Sequence, residues 1–142
     1  MFSKILVATD GSQYSDKALE VAIGLAKVFN TSLYIIHVVE EDKVAMAAST
    51  MPIMVNVIED MVKIGNEILN KAKAKASEAG VNAEAILARG NAADKILENA
   101  DKLNVDLIVV GSRGLRGLAR FLLGSVSEKV VRHSSKPVLV VK

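Results

Sequence analysis

Along this chain, apolar positions switch between short unbroken runs and spacings of three or four. Residues 4–9, KILVAT, are apolar and β-branched without alternation, which predicts a strand covered on both faces. DGS then turns the chain. Over residues 15–29, Ala18, Leu19, Ala22, Leu25, Ala26 and Phe29 share one helical face, and NTS closes that helix. Residues 33–39, LYIIHVV, form a second apolar strand. Residues 40–52, EEDKVAMAASTMP, carry no firm period and read as a mobile loop or an irregular helix start. A long helix follows over 53–79, where Val57, Met61, Ile64, Ile68, Ala72, Ala76 and Ala79 recur at helical spacing. Gly80 is placed to end it, and Gly65 marks a bend or a close packing contact. Residues 81–88 alternate partly with polar side chains, as an edge strand does. A helix over 92–103 turns Ile96, Leu97, Ala100 and Leu103 inward. A fourth strand spans 106–110, DLIVV, and a last helix runs over 124–132. SSKPVLVVK supplies a fifth strand.

The sequence of elements is β-α-β-α-β-α-β-α-β. Five parallel strands with helices on both faces give a three-layer α/β domain. The alternating third strand belongs at an edge, and the strongly apolar first and fourth belong at the centre. The order 3-2-1-4-5 satisfies both. Winding then reverses between strands 1 and 4, and an open sheet of this kind takes its ligand there, outside the carboxyl ends.

Two glycine-bearing loops flank that point. Asp10, Gly11 and Ser12 leave strand 1; Gly111, Ser112, Arg113 and Gly114 leave strand 4. Gly111 and Gly114 can adopt positive φ and permit close backbone approach. Gly124 and Ser125 open a helix whose free N–H groups, with the Ser125 hydroxyl, suit an anion. Taken singly, each glycine reads equally as a turn, and Ser125 as a plain helix cap. Asp10 repels phosphate; it suits a ribose hydroxyl, a metal held mainly by phosphate oxygens, or an ordinary turn. Val38 is core or a platform for a base. Arg113 and Arg116 are phosphate contacts or part of a solvated basic face, and Arg116 and Arg120 share one side if their segment is helical.

Composition narrows the setting. The 142 residues amount to one domain, 51% hydrophobic, 24% charged and only 4% aromatic, so the core must come from Val, Ile, Leu and Ala. The net charge of +2 gives no support for direct nucleic-acid binding. With no cysteine, thiol chemistry and Cys-based metal sites are excluded. His37 and His133 carry no metal spacing. The N-terminal apolar run is too short for a membrane span and lacks signal-peptide order, so the chain reads as soluble and cytoplasmic, with no membrane partner expected.

Gly111-x2-Gly114-x9-Gly124-Ser125 resembles the nucleotide-binding motif of the universal stress protein family. The opening KILVATDGSQYSDKALEVAIGLAKVF and the closing SSKPVLVVK are similar to that family as well, so the resemblance spans essentially residues 1–142 as one nucleotide-binding domain. It implies a Rossmann-like fold of the adenine nucleotide alpha hydrolase type and membership of the ATP-binding group, which keeps the glycine motif. By the same resemblance, Asp10 lies by the ribose and adenine, Val38 touches the base, and Ala8 and Thr9 line the pocket. Val110 and Gly111 follow strand 4, Gly114 approaches the sugar-phosphate, and Gly124, Ser125 and Val126 hold the phosphates. Mg²⁺ or Mn²⁺ is expected to arrive with the nucleotide. A homodimer through Val138–Val141 is also implied, with a downstream protein that the sequence does not name.

Catalytic signatures are thin. GSRG lacks the lysine of a Walker motif, and TDGSQYS is not a dinucleotide fingerprint. The readings are a nucleotide-dependent switch in the stress response, a slow ATPase or phosphotransferase, and a structural or adaptor dimer with incidental nucleotide.

Overall fold

The computed structural model describes residues 2–47, 54–114 and 123–142. Arg116 and Arg120, residues 48–52 of the EEDKVAMAASTMP stretch and most of LRGLARFLL lie outside the described residues. The elements are β1 (Lys4–Ala8), α1 (Gln13–Phe29), β2 (Ser32–Val39), α2 (Glu41–Ala47), α3 (Met54–Glu78), β3 (Ala83–Arg89), α4 (Ala92–Leu103), β4 (Leu107–Gly111), α5 (Ser125–His133) and β5 (Val138–Val141). The strands form one sheet in the order β3-β2-β1-β4-β5, with every pair parallel. This is the expected Rossmann-like architecture.

The unbroken apolar runs are explained by two cores. Ile5 and Val7 of β1 join Leu19, Ala22, Leu33, Ile35, Leu69 and Val109 on the face covered by α1 and α3. Leu6, between them, joins Ile36, Ile96, Ala100, Ile108 and Val130 on the face covered by α4 and α5. Successive side chains point to opposite faces, so a strand buried on both must be apolar at every position. Ile5, Leu6 and Val7 are completely buried. Each such side chain contributes about 1.5–3 kcal/mol relative to exposure.

Helix ends obey local chemistry. Ser12 caps α1 by accepting from Ser15 N–H, and Asn91 caps α4 by accepting from Asp94 N–H. Asn30 and Asn104 end those helices in the left-handed region, with φ of 52° and 53°. At the base of the sheet Asp106 clamps the chain start, its Oδ2 accepting from Ser3 N–H at 2.7 Å, Ser3 Oγ–H at 2.7 Å and Lys4 N–H at 2.9 Å. These donors hold the carboxyl at about 2.

Four readings become definite. Residues 41–47 of the stretch read as a mobile loop or an irregular helix start are helix α2, whose first turn holds Glu41 and Asp42, the charges that suit a helix N-terminus. The apolar stripe of α3 divides: Ala72 and Ala76 enter the core, whereas Ile64 is 54% exposed and Val57 39% exposed. Gly65 has the close-packing role, since a Cβ there would lie 2.7 Å from His37 Cδ2 and 3.0 Å from Leu87 Cδ1. Of the two freedoms open to Gly111 and Gly114, positive φ is not used; among the described glycines Gly11, Gly80 and Gly90 adopt it.

No helix among the described residues is long and apolar enough to cross a membrane.

Candidate functional site

At the carboxyl ends of β1 and β4 the sheet opens into a cavity of about 550 Å³. Ala8, Thr9, Asp10, Val38, Val110, Gly111, Arg113, Gly114, Gly124, Ser125 and Val126 all line it. The switch in winding therefore gathers these eleven residues around one space, while Gly11, Ser12 and Ser112 are not among its lining. A second depression of about 400 Å³, lined by Ile58, Glu59, Val62 and Arg89, includes none of them.

The β1 side is a hydroxyl network. Thr9 Oγ1 and Ser15 Oγ lie 3.2 Å apart, and Ser15 Oγ donates to Ser12 O at 2.9 Å. Ser15 Oγ also accepts from Asp10 N–H at 3.3 Å, and Asp10 Oδ1 accepts from Ser12 N–H at 2.9 Å. Gly11 turns the chain with φ of 83°, a region that side chains rarely adopt. The network holds the Asp10 backbone while its carboxylate borders the cavity.

The β4 side is built by close contacts that explain its glycines without positive φ. A Cβ on Gly111 would come within 2.8 Å of Tyr14 O, so Gly111 lets the first turn of α1 pack on the strand end. One on Gly114 would come within 2.6 Å of Asp10 Oδ2, and one on Gly124 within 3.3 Å of Arg113 Cα. Gly124 N–H donates to Ser112 O at 2.7 Å, and the buried Ser127 hydroxyl lies 3.1 Å from Ser112 O and 3.0 Å from Gly124 O. Gly124, not Ser125, is the N-cap of α5, and the helix start has no side-chain cap hydrogen bond. The contrast with Ser12 and Asn91 is physical: those side chains satisfy first-turn amides, whereas a glycine cap supplies no side-chain acceptor.

The opposite wall is apolar. Ile36 and Val38 from β2 and Met61, Ile64 and Ile68 from α3 line it, with Ile96 of α4. The upper half of α3 therefore walls the cavity, which accounts for the exposure of Ile64. His37 Nδ1 lies 2.8 Å from Thr9 O. A carbonyl oxygen only accepts, so Nδ1 donates. Thus His37 ties β2 to the exit of β1.

Charges gather at the mouth. Glu40 and Lys43 line the cavity and pair at 2.7 Å, while Arg89 pairs with Glu41 at 2.7 Å and fastens α2 to the end of β3. Among the described residues no group of three or more His, Asp or Glu side chains could hold a metal ion. A single carboxylate at Asp10 fits a cation whose other ligands are phosphate oxygens and water.

Ser15, Ser127, His37 and the α3 wall were not singled out as site residues from the sequence. Ser12 and Ser15, three apart before an apolar helix, carry a capping signal. The α3 stripe carries none, because a wall facing an apolar cavity has the same helical period as a core face.

A model of the universal stress protein family matches residues 1–142. The universal stress protein YxiE of Bacillus subtilis is 46% identical over 148 residues, covering 100% of both chains. The solved structure of hypothetical protein MJ0577 superposes with a TM-score of 0.87 at 28% identity, covering 100% of this chain and 96% of that one. A universal stress protein in complex with cAMP superposes with a TM-score of 0.68 at 28% identity, covering 99% and 96%.

Proposed function

The chain belongs to the universal stress protein family, and from that membership we propose that it is an ATP-binding switch of the stress response. One observation carries the reading. The glycine-capped start of α5 opens on the same cavity as Asp10 and Val38, so an anion site, a hydroxyl acceptor and an apolar platform face one space. An adenine nucleotide has these three parts in this order. The base lies on Val38 against the α3 wall, with Ala8, Thr9 and Val110 beneath. Asp10 accepts from the ribose hydroxyls. Gly114 leaves room for the sugar-phosphate. Gly124, whose own N–H is engaged by Ser112 O, brings the helix start to the phosphates, and the amides of Ser125 and Val126, with the Ser125 hydroxyl, receive them. Arg113 adds a cation at that end.

Mg²⁺ or Mn²⁺ enters with the nucleotide, held chiefly by phosphate oxygens. The cAMP complex of a family relative supports adenine nucleotides as the ligand class. The absence of a side-chain cap at α5 leaves first-turn amides for an anionic group of the ligand. We place the protein in the cytoplasm as a homodimer. The β5 edge, where Leu139 is 36% exposed, meets its own copy about a two-fold axis. The signal passes to a downstream protein.

Calorimetry with ATP, AMP and cAMP in Mg²⁺, together with mass spectrometry of what the freshly purified, denatured protein releases, tests the assignment. ATP binding in the micromolar range, about −8 kcal/mol, is expected. No binding of ATP with either Mg²⁺ or Mn²⁺ overturns it.

A further inference from the structure

Tyr14 occupies an unusual place for an aromatic residue in a chain so poor in them. It stands in the first turn of α1. Its backbone carbonyl presses on Gly111, where a Cβ would lie 2.8 Å away. Its ring lies under the guanidinium of Arg113, with Arg113 Cζ 5.4 Å from the ring centroid. The Arg113 backbone in turn packs against Gly124. A line of contacts thus runs from Gly111 through Tyr14 and Arg113 to the glycine-capped start of α5.

We infer that Tyr14 is a positioning residue for phosphate-chain selectivity: its ring holds the Arg113 cation at the phosphate end of the cavity, so that ATP is favoured over ligands with fewer phosphates. The inference rests on the nucleotide reading of the cavity. A cation free to sample solvent loses rotamer entropy when it meets phosphate; one already seated on an aromatic face loses less. The ring also keeps its attraction for the cation after the anion binds, since the face of Tyr is electron-rich and carries no formal charge to compete with phosphate. A carboxylate in that position would neutralise the arginine instead. Tyr14 does not line the cavity, whereas Arg113 does, so the effect reaches the ligand only through Arg113.

The test compares the parent chain with Tyr14→Leu, Tyr14→Phe, Arg113→Met and the Tyr14→Leu/Arg113→Met double variant. Calorimetry with ATP and with adenosine is run at low and high salt, and a thermal melt accompanies each variant. Tyr14→Leu is expected to lower the ratio of ATP to adenosine affinity about threefold, and Tyr14→Phe, which keeps the ring, to preserve it. The double variant should match Arg113→Met alone, and the salt dependence of ATP binding should weaken in every variant that frees or removes the cation. Equal loss of ATP and adenosine affinity in Tyr14→Leu, or a further loss of the ratio in the double variant, overturns the inference. If the ratio stays at the parent value in Tyr14→Leu while the parent binds ATP, the inference falls and the nucleotide reading stands. A parent chain that binds neither ligand removes the nucleotide reading, and this inference with it.

Discussion

The carboxylate of Asp10 lies against the Cα of Gly114: a methyl group at 114 would stand 2.6 Å from Asp10 Oδ2. The two loops that leave the central strands are thereby locked together at the rim of the cavity. Only a hydrogen at that position allows it. Gly114→Ala should displace Asp10 or the loop, lowering ATP affinity about tenfold, or about 1.4 kcal/mol. The urea midpoint should stay nearly unchanged. Titration calorimetry checks the first part, and parent-like affinity would show that Asp10 and Gly114 give way at no cost.

Gly111 should behave differently. Its obstacle is the Tyr14 backbone rather than a side-chain tip. Gly111→Ala is expected to destabilise the fold by about 1–3 kcal/mol, as overpacking does. Gly24 is the control: nothing lies within 4 Å of its Cβ position, and it sits in α1 without positive φ. Gly24→Ala should stabilise by about 0.5–1 kcal/mol. Urea unfolding of the two variants gives opposite signs if the packing is as described.

Acid stability should depend on Asp106. Its carboxyl is held at about 2, below the ordinary 3.8, by the donors of Ser3 and Lys4. A folded value below the unfolded one means that the group stabilises fully above pH 3.8. That contribution fades as the pH falls toward 2. Asp106→Asn should therefore lower stability at neutral pH and flatten the decline between those values. Unfolding midpoints measured across that range would expose a parent and a variant with parallel curves, which would deny the clamp this role.

The edge strand offers a fourth test. Leu139→Asp puts a charge on the exposed face of β5 without entering either core, and is expected to shift a dimer toward monomer. Sedimentation at several concentrations reads the shift. A parent chain that remains monomeric at high micromolar concentration would remove the dimer.

The strand order was legible because burial on both faces leaves a mark that an edge strand lacks: Leu6 and Ile108 sit among unbroken apolar neighbours, while Glu84 interrupts β3. The glycines that line the cavity were legible as well, since Gly111, Gly114 and Gly124 are conspicuous by type. Their reasons were not. Sequence suggests dihedral freedom for a glycine after a strand, whereas here Tyr14 O, Asp10 Oδ2 and Arg113 Cα each claim the space of a side chain. Such demands come from residues distant in the chain and leave no local pattern. The cavity wall of α3 was hidden for a related reason, because period cannot tell Ile64 over a cavity from Ala72 in a core.

The Asp106 clamp spans 103 residues of sequence, and nearly as many separate the paired residues of the two central strands that it joins. One edge of β1 pairs with β2, which is close behind it; the other waits for β4. A ribosome making this protein therefore exposes a half-built sheet whose open edge carries Ile5, Leu6 and Val7 until the fourth strand emerges. Pairing across so long a stretch is slow to find, and the edge is adhesive while it waits. The topology that places the cavity at the centre of the sheet thus also leaves β1 paired on one edge alone for most of the chain's synthesis.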